Sequence, residues 1–277
     1  MDFTLTKYRQ LLLSLKQAGF VSVLRFSNDT SQHQLLLRHD VDLNPQNSLR
    51  TAQLEAELGM KAIYYFRIVP ESYDESIIQQ ISSLGHEIGY HYECLTTSEG
   101  NIEAAYLDFC NNLHGFNNLL TNISDSLGGG GQRFVSSICM HGSPRSPFDS
   151  RDIWKVHTYN DLGINYEPYF DTDFSRTLYL TDTGRRWDGY NVSVRDKIPS
   201  YQDQWIAQGL TFHSTSDIID SMNNPSSPLS QFIIHNRRIL LTTHPQRWNP
   251  FGFSWLKEFI LQKIKNLIKA FLVKFRP

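Results

Sequence analysis

Four short apolar runs alternate with helical segments between residues 34 and 141, and this alternation limits the possible folds more than any other feature of the chain. "QLLLRHD" (34–40), "KAIYYFRI" (61–68), "HEIGYHYE" (86–93) and "FVSSICMH" (134–141) have the length and the leucine, β-branched and aromatic content of strands. Between the first two, "NPQNSLRTAQLEAELGM" opens with a capping asparagine and a proline in the first turn, which predicts a helix. "SYDESIIQQISSLG" predicts a second helix closed by Gly85, and residues 102–119 predict a third. Strand, helix, strand, helix, strand, helix, strand implies a parallel sheet with right-handed crossovers. Ahead of this series, residues 4–18 read as a helix stopped by Gly19, and "FVSVLRF" (20–26) reads as a strand. "LGGGGQ" (127–132) is a loop. Residues 145–205 are aromatic and loop-rich, and regular patterning returns at "GLTFH", "SDIIDSM" and "RRILLTTH". The expected fold is one α/β domain over residues 1–253, an irregular or incomplete (β/α) barrel of parallel strands.

Composition narrows the function classes. With 40% hydrophobic and 19% charged residues, the 277-residue chain can bury an ordinary core. A net charge of −2 and a pI near 6.5 remove the electrostatic argument for a nucleic-acid partner. Cys94, Cys110 and Cys139 are odd in number and lack C-x-x-C spacing, so a disulfide framework or zinc knuckle is not expected; a reducing, cytoplasmic compartment fits. The first twenty residues lack a basic region followed by a long apolar one, so no secretory signal is expected there. Residues 254–277 form a separate segment. Phe259, Ile260, Ile264, Leu267, Phe271 and Phe275 fall at helical spacing, and Lys263, Lys265, Lys269, Lys274 and Arg276 supply charge, a basic amphipathic helix. Such a helix either packs on its own domain or makes a peripheral contact with the inner face of a membrane.

The ends of the strands carry the chemistry. Ligands of parallel α/β folds collect at the C-terminal ends of strands. Here those ends read His39, Asp40 and Asp42; His91 and Glu93; His141; and His244, which closes "ILLTTH". A single strand-end histidine is more often structural. Four strands ending on one rim in histidine or aspartate suggest a centre for zinc or a similar divalent ion. Asp40 and Asp42 would share a face if the strand continued, and two such carboxylates resist joint ionisation unless a cation is present. One aspartate would then hold the metal and the other would act as a base.

These residues resemble the polysaccharide deacetylase family, the NodB-homology carbohydrate esterases. "DVD" is similar to the family's first motif, which implies Asp40 as base and Asp42 as metal ligand. "GHEIGYH" (85–91) resembles the second motif and implies His91 as a ligand, with His86 in a structural role. "RSPF" (145–148) resembles the third and implies that Arg145 orients the base. "ILLTTH" resembles the last and implies His244 as the acid. The family's second motif carries another histidine four positions after the first, but Leu95 stands there. His141, ending the next strand, is the first candidate to replace it, and Glu93 is the second. Asp182 and Trp187, in "YLTDTGRRWDG", are candidates to line the site.

The resemblance implies a zinc-dependent N-deacetylase acting on an amino sugar of a polysaccharide or its glycan precursor, with the N-acetylated carbohydrate as its partner. Three other classes stay open. A glycosyltransferase could use Asp-x-Asp to hold a metal and a nucleotide sugar, although the later histidines would then have no role. A phosphatase would need Thr or Val where Asn44 stands. A sugar-binding module that lost its metal with Leu95 is the non-enzymatic alternative.

Overall fold

The computed structural model describes residues 1–29, 31–143, 146–188, 195–250, 252–253 and 255–262. Seven parallel strands form one sheet: β1 (Phe20–Ser22), β2 (His33–Val41), β3 (Ile63–Phe66), β4 (Glu87–Tyr92), β5 (Ile138–Met140), β6 (Thr177–Thr181) and β7 (Arg238–Thr243). The strand order is β5-β4-β3-β2-β7-β6, with β1 paired to the lower part of β2. The sheet curls into a half-barrel that helices cover, an incomplete α/β barrel.

The helices are α1 (Leu5–Gln17), α2 (Pro45–Glu57), α3 (Glu75–Ser83), α4 (Cys94–Thr97), α5 (Ile102–Ser126), α6 (Pro168–Asp171), α7 (Pro199–Ala207), α8 (Thr215–Met222) and α9 (Pro228–Asn236). Side chains on their ends account for several boundaries. Thr4 accepts a hydrogen bond from the Lys7 amide to start α1, and Asp74 accepts one from Ile77 to start α3. Helix α5 runs seven residues beyond the expected 119. Phe109, Leu113, Phe116, Leu120 and Ile123 extend one buried stripe, so packing carries the helix to Ser126. Asn44 does not cap α2 with its side chain, contrary to expectation. Its φ is 56°, a left-handed turn that asparagine tolerates, and its amide donates to the Glu71 carbonyl.

Two expected strands are shorter than their apolar runs. In "FVSVLRF" only Phe20–Ser22 pairs, because Arg25 turns away to grip Glu87 through two nitrogens (2.9 and 3.0 Å). In "FVSSICMH" only Ile138–Met140 pairs with β4. "GLTFH" forms no strand.

The period of two sorts side chains between the sheet's faces. On β2, His39 and Val41 face the covering helices, where His39 meets Thr243 (2.6 Å) and Glu55 of α2 (2.7 Å). Tyr8 of α1 and Tyr64 of β3 donate to the same buried Glu55 at 2.6 and 2.7 Å. Arg38 and Asp40 face the concave side. On β4, Gly89 lies directly under Tyr65, where a Cβ would fall 2.4 Å from the ring, so only glycine admits this approach.

The start of the C-terminal segment docks on the domain. Residues 255–262 are helical, Trp255 donates to the Asp2 carbonyl (2.9 Å), and Glu258 pairs with Arg185. The Arg185 guanidinium stacks 5.1 Å from both the Trp255 and Phe259 rings. The expected lysine-rich continuation, Lys263 onward, lies outside the described residues. Among the described residues, no helix is long and apolar enough to cross a membrane.

Candidate metal centre

The site is built at the upper end of β2. Arg38 and Asp40 are two residues apart on one strand and therefore share a face. The Arg38 guanidinium donates to both Asp40 oxygens, Nε to Oδ1 at 2.8 Å and Nη2 to Oδ2 at 2.6 Å, and both side chains are buried. Arg38 also stacks over the Tyr169 ring at 4.9 Å. This bidentate pairing holds Asp40 in one orientation. Arg145, expected in that role, lies outside the described residues.

Strand pairing ends at Val41, and the next residue, Asp42, turns its carboxylate toward two imidazoles. Asp42 Oδ1 lies 3.5 Å from His91 Nε2 and 3.6 Å from His141 Nε2, and it is buried with no hydrogen-bond partner. Gln246 donates to Oδ2 at 3.1 Å. Burial would raise the pKa of Asp42. The His91 imidazole beside it, with His141 and His244, outweighs burial and holds it well below the usual carboxylate range.

Both histidines are oriented from behind. His91 Nδ1 bonds the Cys139 carbonyl at 2.9 Å, and His141 Nδ1 bonds Glu93 Oε2 at 2.8 Å. A carbonyl or carboxylate only accepts, so each Nδ1 carries the hydrogen. In the neutral ring, Nε2 then presents its lone pair toward Asp42. Glu93 is held in turn by Arg67 at 2.6 and 3.0 Å. Burial raises its pKa, but His141 and Arg67 bring it down to about 2. Glu93, the second candidate for the place left by Leu95, thus spends its oxygens on His141 and Arg67. Leu95 itself is buried in the core.

His244, just beyond β7, approaches from the other side. Its Nδ1 donates to Asp182 Oδ1 at 2.6 Å, and its Nε2 lies 3.9 Å from Asp42 Oδ2 and 3.6 Å from Asp196 Oδ2. Asp182 is fully buried and also accepts from Arg247 (2.5 Å), Trp248 Nε1 (2.8 Å) and the His244 amide (3.0 Å). Burial and Arg247 push the His244 pKa down. Asp182 and Asp42 push it up, and the net shift is upward. Asp196 accepts from Thr183 (2.6 Å) and Tyr169 (3.0 Å). Burial alone would raise its pKa, but His244, Arg38 and these two donors lower it far below the carboxylate range.

A second grouping overlaps the first. Asp40, His91 and Cys139 bring an oxygen, a nitrogen and a sulfur within 4.8 Å of one another, all buried, and such a group could hold a metal ion. Burial raises the Cys139 thiol pKa well above its ordinary value.

The structure thus brings Asp40, Asp42, His91, His141 and His244 together from four strand ends. Trp187 belongs to the core instead, packed between Phe3 and Trp248. His86 is buried against the Ala52 carbonyl and the Ala62 amide, a structural position. Sequence reasoning missed Arg38, Cys139, Arg67 and Asp196. Arg38 was within reach, since i and i+2 share a strand face. Nothing in the local sequence marks Asp196. No protein-family model matches this chain, and no curated protein matches it.

Proposed function

We propose that the protein is a metal-dependent deacetylase that hydrolyses the N-acetyl group of an amino sugar in a polysaccharide or its glycan precursor. The observation that carries this reading is Asp42 Oδ1, a buried oxygen without a hydrogen bond, faced by two Nε2 atoms whose Nδ1 hydrogens are already committed. One carboxylate and two imidazoles suit zinc, and a catalytic zinc keeps a position open. The arrangement is similar to that of the NodB-homology type, with Asp42, His91 and His141 as ligands. A divalent cation bound there supplies Lewis acidity toward an amide carbonyl and toward water.

The remaining residues divide the proton transfers. Asp40, held and aimed by Arg38, takes the proton from the attacking water. His244, whose pKa Asp182 helps to raise, gives a proton to the departing nitrogen as the carbon–nitrogen bond breaks. Acetate and a free amine leave. Trp248 and Arg247 hold Asp182, and so fix the direction from which His244 acts.

The test is acetate release from N-acetylated amino-sugar oligomers by the zinc-reconstituted chain, with Asp40→Asn as the variant. Loss of acetate release with zinc still bound is the expected result. Undiminished release would remove Asp40 as the base. Glycan binding without any release by the wild type would favour the sugar-binding module.

A further inference from the structure

We propose that the opposite pole of the sheet carries a second site, which binds the phosphate group of a soluble small molecule. The N-terminal ends of β2, β7 and β6 lie side by side, with Gln34 paired to Arg238 and Thr177 paired to the same Arg238. Three arginines open onto a cavity of about 310 Å³ at this end: Arg176 just before β6, Arg237 at the end of α9, and Arg238 at the start of β7. Among the described residues of its lining, Asp29 is the single acidic one. The arginines and the aspartate of the lining therefore contribute three positive charges and one negative.

Arg238 is the central observation. The residue as a whole is 7% exposed, and it lines this cavity. Its Nη2 donates to the Ser27 carbonyl at 2.5 Å, and its guanidinium lies 5.6 Å from the Phe26 ring centre. Among the described residues, neither Arg238 nor Arg176 has a carboxylate within 4.0 Å. The two nearby acids are turned to their own loops: Asp29 accepts from the Ser31 amide, and Asp173 accepts from Ser175. Burial first, then the like charge of Arg176, lowers the pKa of Arg238 from its ordinary value.

Arg238 thus differs from the two other arginines of the core among the described residues, which are paired: Arg38 with Asp40, and Arg247 with Asp182. An anion in the cavity would supply the missing charge. Guanidinium groups match phosphate oxygens in geometry as well as charge, and two of them suit a dianion. The volume is at the lower limit of small-ligand sites, roughly 300–1,000 Å³, which leaves room for a diphosphate or a phosphorylated small molecule. This site is independent of the metal centre, which occupies the other ends of the same strands.

Calorimetric titration of the full chain with inorganic pyrophosphate, at constant ionic strength and without added metal, tests the proposal. Saturable binding is expected, with Arg176→Ala weakening it at least tenfold. Arg176 is exposed, so this variant should fold. Asp42→Asn should leave the affinity unchanged. Absence of saturable binding, full affinity in Arg176→Ala, or loss of affinity in Asp42→Asn would each overturn the proposal. Anionic phospholipid vesicles run in parallel separate the two sources of phosphate. Flotation that depends on Arg176 would replace the soluble ligand with a lipid headgroup and overturn the proposal as stated.

Discussion

Asp42 Oδ1 lies 3.5 Å from His91 Nε2 although the two residues come from the ends of non-adjacent strands, β2 and β4. Strand β3 separates them in the sheet, and the curl of the half-barrel brings their tips together across the concave face. His141 reaches the same oxygen from beyond β5. A carboxylate and two imidazoles therefore converge through curvature rather than through strand neighbourhood.

This convergence predicts that the chain binds one divalent ion. Asp42→Asn and His141→Ala should each abolish stoichiometric zinc in calorimetric titration. Glu93→Gln removes the carboxylate behind His141 and should weaken binding by about 10–100-fold. Cys139→Ser separates the two possible ligand groups. Unchanged affinity selects Asp42, His91 and His141, whereas a large loss selects the group containing the thiol.

The Arg38–Asp40 pair predicts a stability effect apart from chemistry. Arg38→Met leaves a buried carboxylate without its partner and should cost roughly 3–5 kcal/mol in urea unfolding. Arg38→Lys should recover only part of this, because an ammonium cannot engage both oxygens as the planar fork does.

On the deacetylase reading, His244 must be protonated to act as the acid. Its raised pKa means that activity is retained through the ordinary histidine range and falls as pH climbs above it. Asp182→Asn removes the attraction that raises this pKa, so the alkaline limb of the pH–rate profile should move to lower pH. The rate constant kcat should fall as well, by roughly 10²–10⁴-fold at most.

Glu167 offers a pH test of stability. Burial raises its pKa to about 7 from an ordinary 4.5, despite the Tyr169 amide that it caps at 2.6 Å. Between these two values the folded chain holds a proton that the unfolded chain has lost. This contribution is therefore complete below about pH 4.5 and disappears as pH rises through about 7. At about 1.4 kcal/mol per pKa unit, the loss is about 3 kcal/mol at most. Glu167→Gln should flatten the wild type's decline between pH 5 and 8 in urea denaturation and make the variant the more stable form at pH 8.

Much of the scaffold was legible because its determinants are local. The alternation of apolar runs with capped helical stretches is written in residues a few positions apart, and Gly19 and Gly85 end their helices with φ near 85°. The departures arose where contacts distant in the chain decided the outcome. Asn44 has the right chemistry for a cap but sits in a left-handed turn, because its amide is engaged by the Glu71 carbonyl from a distant loop. The end of α5 depended on Leu120 and Ile123 finding a core to pack against.

By itself, the sequence determined which residues stand at strand ends, and with them the list Asp40, Asp42, His91, His141 and His244, since the period of two and the breaks between runs are properties of neighbouring residues. Only the tertiary structure decided how these groups are used. It set Arg38 on Asp40, Glu93 behind His141, Asp182 behind His244, and Asp196, which lies outside the strands and helices, beside His244. The physical reason is that a hydrogen bond or ion pair acts over 3–4 Å in space, while the partners from Arg67 to Asp182 lie 26 to 62 residues away along the chain. Sheet curvature, which no short stretch of sequence encodes, sets which of them meet.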